Sequence, residues 1–335
     1  MKLISGLDRV VFRIAVGVMV LGMTVWGMLA LCSSDLTSSI FRTVLSIIFV
    51  LGTLALLFFV RPHRQAVLGF LVVFTGLVLW WLTLAPSNNR DWQADVAMLP
   101  YATFAGDSVT IHNIRNNDYH SETDFTSQYY DKTFQLSELR TLDLFLSYWG
   151  PTLIAHTVMS FGFEGDGYVA ISIETRKEKG EEYSAIKGFF KQYELIYVVA
   201  DEWDLVRLRT NYRGEDVYLY RLNGPTEVAR QLFLEYLRDV NRLSEQPAWY
   251  NALTENCTTG IYRLARPHAV RSWWSWKLFA NGYLDELAYD LGVVDRSLSF
   301  AEFKARSHIN ERGEAADHDP EFSRKIRAGL PGIDG

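Results

Sequence analysis

Cysteine is close to absent, with two in 335 residues, Cys32 and Cys257. A framework of several disulfides, the usual staple of small secreted folds, is therefore excluded. Charge is missing from three long stretches near the N-terminus: Ile14 to Cys32, Thr43 to Val60 and Ala66 to Ala85 are apolar and almost uncharged. Internal repeats and low-complexity tracts are missing throughout, which rules out a solenoid or a long disordered region.

Each uncharged run has about the ~20 residues that a helix needs to cross a bilayer core. Buried helices of a soluble protein are the alternative reading, and three such runs within 85 residues weigh against it. "LALC", Leu29 to Cys32, has the outline of a lipoprotein cleavage site, but Leu31 is too large for the small residue expected before the cysteine, so the first run reads as a retained anchor. Lys2, Arg9 and Arg13 precede the first span, and Arg61 and Arg64 lie in the turn "RPHR" between the second and third. The loop "SSDLTSSIFR" between the first two spans carries one Asp and one Arg. The excess of Lys and Arg on one side predicts a cytoplasmic N-terminus and a third span that leads outward. Trp26, Trp80, Trp81 and Trp92 are then expected near the outer interface. The expected organisation is a three-helix transmembrane anchor over residues 1–85 and an extracytoplasmic domain over 86–335.

The anchor holds six Lys and Arg against two Asp and Glu, so a chain of net charge −6 leaves a remainder of −10. Nucleic acid needs clustered positive charge and is excluded as a partner. An outer domain with one cysteine cannot form an internal disulfide. An unpaired thiol in an oxidising compartment is either buried and inert or used chemically.

Along the outer domain, "DSVTIHNIRN" alternates as a strand, and Asp118 to Asp131 reads as polar loop. "LSELRTLDLFLSYWG" has mixed helical periodicity. "TLIAHTVMSFGF" and "GYVAISIETR" form a hairpin around "GFEGDG", and two more extended segments follow within Gln192 to Leu222. Val228, Leu232, Tyr236, Val240 and Leu243 share one face of an amphipathic helix. The last forty residues turn polar and read as a surface-hugging or partly disordered tail. The expected fold class is α+β, an antiparallel sheet first and helices after it, with no internal boundary.

In "YNALTENCTTGIYRLAR", Thr254 or Asn256 can cap a helix whose first turn carries Cys257. Helix N-terminal N–H groups stabilise a thiolate and can hold the oxyanion of an acyl intermediate. Such a nucleophile needs a base. Among the six outer histidines, His156 stands at the start of an otherwise apolar strand. Antiparallel pairing about Gly165 sets it opposite Glu174, which could orient the ring as the third member of a triad; a slipped register points to Ser172 instead. An incidental His–Glu pair in a sheet is the competing reading. Arg115, Arg176 and Arg209, each in or beside a strand, are candidates for binding a phosphate headgroup, and Asn256 is a further candidate substrate contact beside the thiol. "RSWWSWKLFANGYL" could form an interfacial helix or part of the core. "GFEGDG" has no helix after it and is no nucleotide loop, and His112, Asp118 and His120 match no zinc spacing. No metal and no cofactor are expected.

"AHTVMSFGFEGDGYVAISIETRKEKGEEYS", "KQYELIYVVADEWDLVRLRTNYR" and "YNALTENCTTGIYR" resemble the Lnb N-terminal periplasmic domain family, with the likeness running from about Asp107 to Arg266 and weakly into the tail. The family is similar to papain-like thiol enzymes in a permuted order, histidine strand before cysteine helix, and to NlpC/P60 relatives. The resemblance implies a thiol acyltransferase: Cys257 takes an acyl chain from a phospholipid as a thioester and passes it to an amine, the N-terminal cysteine of a lipoprotein. His156 would act as base and then acid, with Glu174 orienting it. The resemblance also implies a bacterial inner membrane with the thiol domain in the periplasm; three spans precede the domain here, a departure from the order that the family's name implies. The rival readings are an NlpC/P60-like cell-wall peptidase or amidase and a non-catalytic membrane scaffold.

Overall fold

The computed structural model describes residues 2–34, 38–251, 275–278 and 280–333, with residues 2–7 described by backbone alone. The chain divides into two compact units. One comprises Met1–Ser87, Tyr183–Glu194 and Trp249–Asn251; the other comprises Asn88–Glu182, Leu195–Ala248 and Ala252–Gly335.

The first unit is built on three helices, α1 (Lys2–Cys32), α2 (Ser39–Phe59) and α3 (His63–Thr83), each long and apolar enough to cross a membrane. Val20, Leu31, Phe49 and Phe70 form their shared core. Gly27 permits the contact: a Cβ there would lie 2.7 Å from the Phe49 ring and 2.8 Å from Leu77. Most remaining apolar side chains on the three helices, such as Phe12, Ile48 and Val72, stay exposed. That pattern suits helices solvated by lipid. Trp26 and Trp81 meet edge to face with centroids 5.5 Å apart, near the ends of α1 and α3. Trp92 behaves differently from expectation. It is buried in the second unit with the Arg176 guanidinium 4.2 Å from its ring centroid, so it anchors the domain rather than an interface.

The second unit is α+β, as expected. Its strands are β1 (Tyr101–Ala105), β2 (Ser108–Arg115), β3 (Asp118–Tyr119), β4 (Phe125–Thr126), β5 (Tyr129–Gln135), β6 (Leu139–Tyr148), β7 (His156–Phe163), β8 (Gly167–Arg176), β9 (Glu194–Ala200) and β10 (Asp216–Arg221). The main sheet runs β1-β2-β9-β8-β7-β6-β10, with β5 also pairing to β2, while β3 and β4 form a separate small ladder; β2 and β9 pair in parallel at Arg115 and Ala200, so the sheet is mixed and not wholly antiparallel as expected. Gly165 and Gly167 take left-handed φ values of 79° and 77° in the turn between β7 and β8, which is why glycine recurs in "GFEGDG". One sheet face packs on α5 (Thr226–Glu245): Phe161 lies 4.9 Å from Phe233 and 6.0 Å from Tyr236. The opposite face, with Phe145, Val158, Ala170 and Val198, packs against Leu205 and Val206 of α4 (Glu202–Arg207) and against Ile309, Ala316, Phe322 and Ile326.

Two expectations are corrected. Leu139–Tyr148 is a strand, not a helix. It pairs with β7 on one side and β10 on the other and is buried on both faces from Asp143 on. A strand covered on both faces loses its period of two, which disguises it. The C-terminal forty residues are not a loose tail, because they supply the layer just described. Arg327, buried, donates to Asp143 Oδ2 at 3.0 Å and to Glu202 Oε2 at 2.7 Å, and lies 3.5 Å from the Tyr168 ring centroid. Polar composition concealed a segment whose charges point inward at buried partners.

Arg327→Met leaves Asp143 and Glu202 short of their shared cation in the core. It is expected to destabilise the domain by about 3–5 kcal/mol. Arg324→Met removes an exposed pair with Glu321 and is expected to leave the melting temperature nearly unchanged. Thermal denaturation of the detergent-solubilised chain compares the two; equal effects would mean that the C-terminal layer is peripheral.

Candidate active site

The hairpin of β7 and β8 runs from Phe163 opposite Gly167 to Val158 opposite Ser172. Carried two residues further, the same register sets His156 opposite Glu174. Side chains at 156, 172 and 174 share the face that carries Val158 and Ala170, since alternate residues of a strand project the same way. On the other side, β6 brings Ser147 opposite His156. Both readings left open by the sequence are realised together: His156 Nε2 lies 2.6 Å from Ser172 Oγ and 3.6 Å from Glu174 Oε1.

Donor capacity fixes the protons. Burial alone would push the Glu174 carboxyl up, but the Arg209 guanidinium, the His156 contact and the more distant Arg115 together hold it well below the usual carboxylate range. Glu174 is therefore ionised at neutral pH and can only accept. Ser172 Oγ, 2.8 Å from Glu174 Oε1, spends its single proton there. Its lone pair must then accept from His156 Nε2–H. In the neutral ring this leaves Nδ1 unprotonated, a proton acceptor turned away from the carboxylate. The arrangement is a chain of hydrogen bonds from ring to carboxylate with the serine between them.

Arg209 Nη2 donates to Glu174 Oε1 at 2.8 Å, and Nη1 donates to the Leu205 carbonyl at 2.7 Å. The arginine stands in one turn of π-helix, Leu208–Tyr212, in which Arg213 N–H reaches back five residues to the Leu208 carbonyl at 2.9 Å. Such insertions re-aim one side chain out of helical register. Glu215 supports the other edge of Arg209, 3.8 Å from Nε, and accepts from Ser147 Oγ. Neither Ser147 nor Glu215 carries a signal in the sequence; only the fold gathers them.

The headgroup role expected of the three arginines is corrected, because their guanidinium groups are buried and committed within the protein. Arg115 forms a forked pair with Asp204, 2.9 and 2.7 Å, and donates to the Asp95 carbonyl. Arg176 donates to the Val96 and Ala97 carbonyls at 3.0 and 2.8 Å and to Asn88. Arg209 serves Glu174. Cys257 and Asn256 lie outside the described residues. Among the described residues no three His, Cys, Asp or Glu are grouped to hold a metal ion. A cleft of about 180 Å³ lined by Asp95, Asn113, Arg115 and Tyr129 has none of the His156 cluster in its wall.

The connection from β6 to β7 delivers His156. Asn281 grips the residue before it with both amide atoms: Ala155 N–H donates to Oδ1 at 2.9 Å, and Nδ2 donates to the Ala155 carbonyl at 2.6 Å. Gly282 leaves room for this approach, since a Cβ there would lie 1.9 Å from the Thr152 carbonyl oxygen. The same connection, which leads into His156, exposes Trp149, Leu153 and Ile154. The sequence left 271–284 open between an interfacial helix and core; its residues 271–274 and 279 lie outside the described residues, and the described ones include two short 3₁₀ turns, Trp276–Leu278 and Asn281–Tyr283, with Trp276 exposed.

Residues 125–282 match the family model described as the Lnb N-terminal periplasmic domain. The match bears out the resemblance, starting later than Asp107 and running on past Arg266. It takes in every member of the His156 cluster and the Cys257 segment. No curated protein and no solved structure matches the chain.

Removing the cation tests the clamp. Arg209→Met strands Glu174, whose side chain is only 20 % exposed, and is expected to cost about 3 kcal/mol at neutral pH. Adding Glu174→Gln is expected to restore much of that loss. Because the folded carboxyl titrates well below the ~4.3 of an unfolded glutamate, its stabilisation is present above that value and disappears as pH falls through the folded one. The deficit of Arg209→Met should therefore shrink on acidification below about pH 4. A pH-independent deficit in denaturation curves would show that Glu174 is not the ion Arg209 holds.

Proposed function

We propose, from a chain whose residues 125–282 form an Lnb N-terminal periplasmic domain, a membrane-anchored thiol acyltransferase. Cys257 is its nucleophile, His156 the base and Glu174, through Ser172, the group that fixes the imidazole. The observation that carries the reading is the geometry of the cluster, with Ser172 Oγ 2.8 Å from Glu174 Oε1 and 2.6 Å from His156 Nε2, from which an ionised Glu174 assigns the Ser172 proton to itself and leaves Nδ1 as the acceptor of the neutral ring. That proton order is what a thiol needs from its base.

The chemistry runs in two halves. His156 takes the Cys257 thiol proton as sulfur attacks the ester carbonyl of a phospholipid. The tetrahedral intermediate collapses to a thioester, and the imidazolium returns the proton to the departing glycerol oxygen, releasing a lysophospholipid. An amine then attacks the thioester. His156 takes the proton the amine sheds and gives it to the leaving sulfur, so thiol and base are regenerated. Ion pairing to Glu174 stabilises the imidazolium in both halves. The acceptor we favour is the α-amino group of a lipoprotein's N-terminal cysteine.

Two features favour a lipid over a cell-wall peptide as donor. The chain carries three helices able to span a membrane, and a tethered enzyme meets a water-insoluble donor at high local concentration. The exposed Trp149, Leu153 and Ile154, on the connection that leads into His156, offer apolar surface, where a glycan or peptide would ask for hydrogen bonds. The reading places the N-terminus in the cytoplasm and the thiol domain in the periplasm of an inner membrane. The buried guanidinium groups leave the headgroup contact to other residues.

Intact-mass analysis of the chain reconstituted with a defined phospholipid tests the first half. The expected result is an added acyl mass on Cys257 that hydroxylamine removes, absent in Cys257→Ser and reduced at least about tenfold in rate in His156→Gln. Hydrolysis of a cell-wall peptide without any acyl adduct would overturn the reading in favour of a peptidase, and neither reaction would leave the scaffold.

A further inference from the structure

The stretch "YSAIKGFFKQYE", Tyr183–Glu194, lies a hundred residues beyond the last spanning helix, yet it belongs to the compact unit of the three helices. Its attachments are specific. Lys191 Nζ donates to the carbonyls of Trp81 and Leu84, each at 3.0 Å, and stands 4.6 Å from the Trp81 ring centroid. A cation there satisfies carbonyls that a helix end leaves unpaired. Phe190, buried, packs at 6.1 Å from Trp26. Gln192 accepts from Arg42 Nη1 at 3.1 Å, and Arg42 also donates to the Ser34 carbonyl. Tyr193 offers its carbonyl to the Tyr250 N–H at 2.9 Å.

These contacts set a level. Trp26 is six residues, about 9 Å, short of the end of α1 at ~1.5 Å rise per residue, so Phe190 reaches below that end, toward the apolar span. The neighbouring 3₁₀ turn, Lys187–Phe189, is pinned by the Gly188 N–H to the Ser184 carbonyl at 3.0 Å. It holds Ile186 and Phe189 outward, 57 % and 42 % exposed, with Tyr183 50 % exposed before them. Lys187 rides on the same turn. Two large apolar side chains at the end of a lipid-solvated bundle, flanked by an aromatic ring and a basic residue, match the composition of a membrane interface.

We propose that Tyr183–Glu194 is a second membrane-contacting element, in which Ile186 and Phe189 insert into the lipid layer around the outer ends of α1 and α3 while Lys187 meets headgroup phosphates. The occupant of this surface is bilayer lipid, because the patch belongs to the compact unit of the spans and is fastened to their ends through Phe190, Lys191 and Gln192. The inference depends on the spans and not on the transfer chemistry.

Site-directed spin labelling of the full chain tests it. Ile186→Cys and Phe189→Cys are made separately in a Cys32→Ser, Cys257→Ser background and reconstituted into vesicles of phosphatidylethanolamine and phosphatidylglycerol. Ser297→Cys, on a turn of the other unit, is the reference. Nitroxides at 186 and 189 are expected to collide at least severalfold more with oxygen, relative to an aqueous nickel chelate, than the label at 297. Ratios equal to the reference at both positions would overturn the proposal. Each label is read on protein that elutes as the unmutated chain does, and the two positions report independently, so misfolding of one variant leaves the other decisive.

Discussion

One half-buried carboxylate organises the proposed chemistry. Burial of Glu174 disfavours its charge, and Arg209 favours it. Everything next to it follows from that charge. An ionised Glu174 can only accept, so Ser172 donates to it; Ser172 then accepts from His156, and the imidazole presents its other nitrogen as a base. A neutral Glu174 would release the Ser172 proton and leave the ring tautomer undetermined. The cost of holding the ion is met by geometry far from the hairpin: a π-turn at Leu208–Tyr212, the Leu205 carbonyl under one arm of the guanidinium, and Glu215 at its other edge.

Arginine use across the domain shows a similar logic. Arg115, Arg176, Arg209 and Arg327 are all buried, and each holds an acidic side chain or a set of carbonyls. Buried ion pairs are weak sources of net stability, because desolvation offsets most of the attraction. What they contribute is intolerance of alternatives. A strand shifted by one residue, or a C-terminal layer docked elsewhere, would leave a charge in the core without its counterion. In a sheet with strands as uniformly buried as β7 and β9, such pairs are a means of fixing register.

Much of this was legible in the sequence, and the parts that were not fail for definite reasons. The spans are readable because lipid demands long uncharged helices. The β7–β8 register is readable because glycines mark the turn centre, and counting outward from Gly165 sets 156 against 174. Strand β6 is not readable: with both faces covered it lacks alternation, and its leading polar residues imitate a helix. The C-terminal layer is not readable either, because composition cannot tell a charge facing water from one facing Asp143 and Glu202. Arg209 was noticed for the wrong partner. An arginine next to a strand can face solvent, phosphate or an internal carboxylate, and only the π-turn decides among them.

The central claim is that the ionised carboxylate fixes the proton of His156 on Nε2. Nitrogen-15 NMR of the imidazole, in full-length protein labelled at histidine and reconstituted in lipid, reads this directly, with His156→Gln assigning the resonance. The account predicts the Nε2–H tautomer in the neutral ring, and its loss to a mixture in Glu174→Gln. A neutral His156 carrying its proton on Nδ1, or a tautomer indifferent to Glu174, would contradict it.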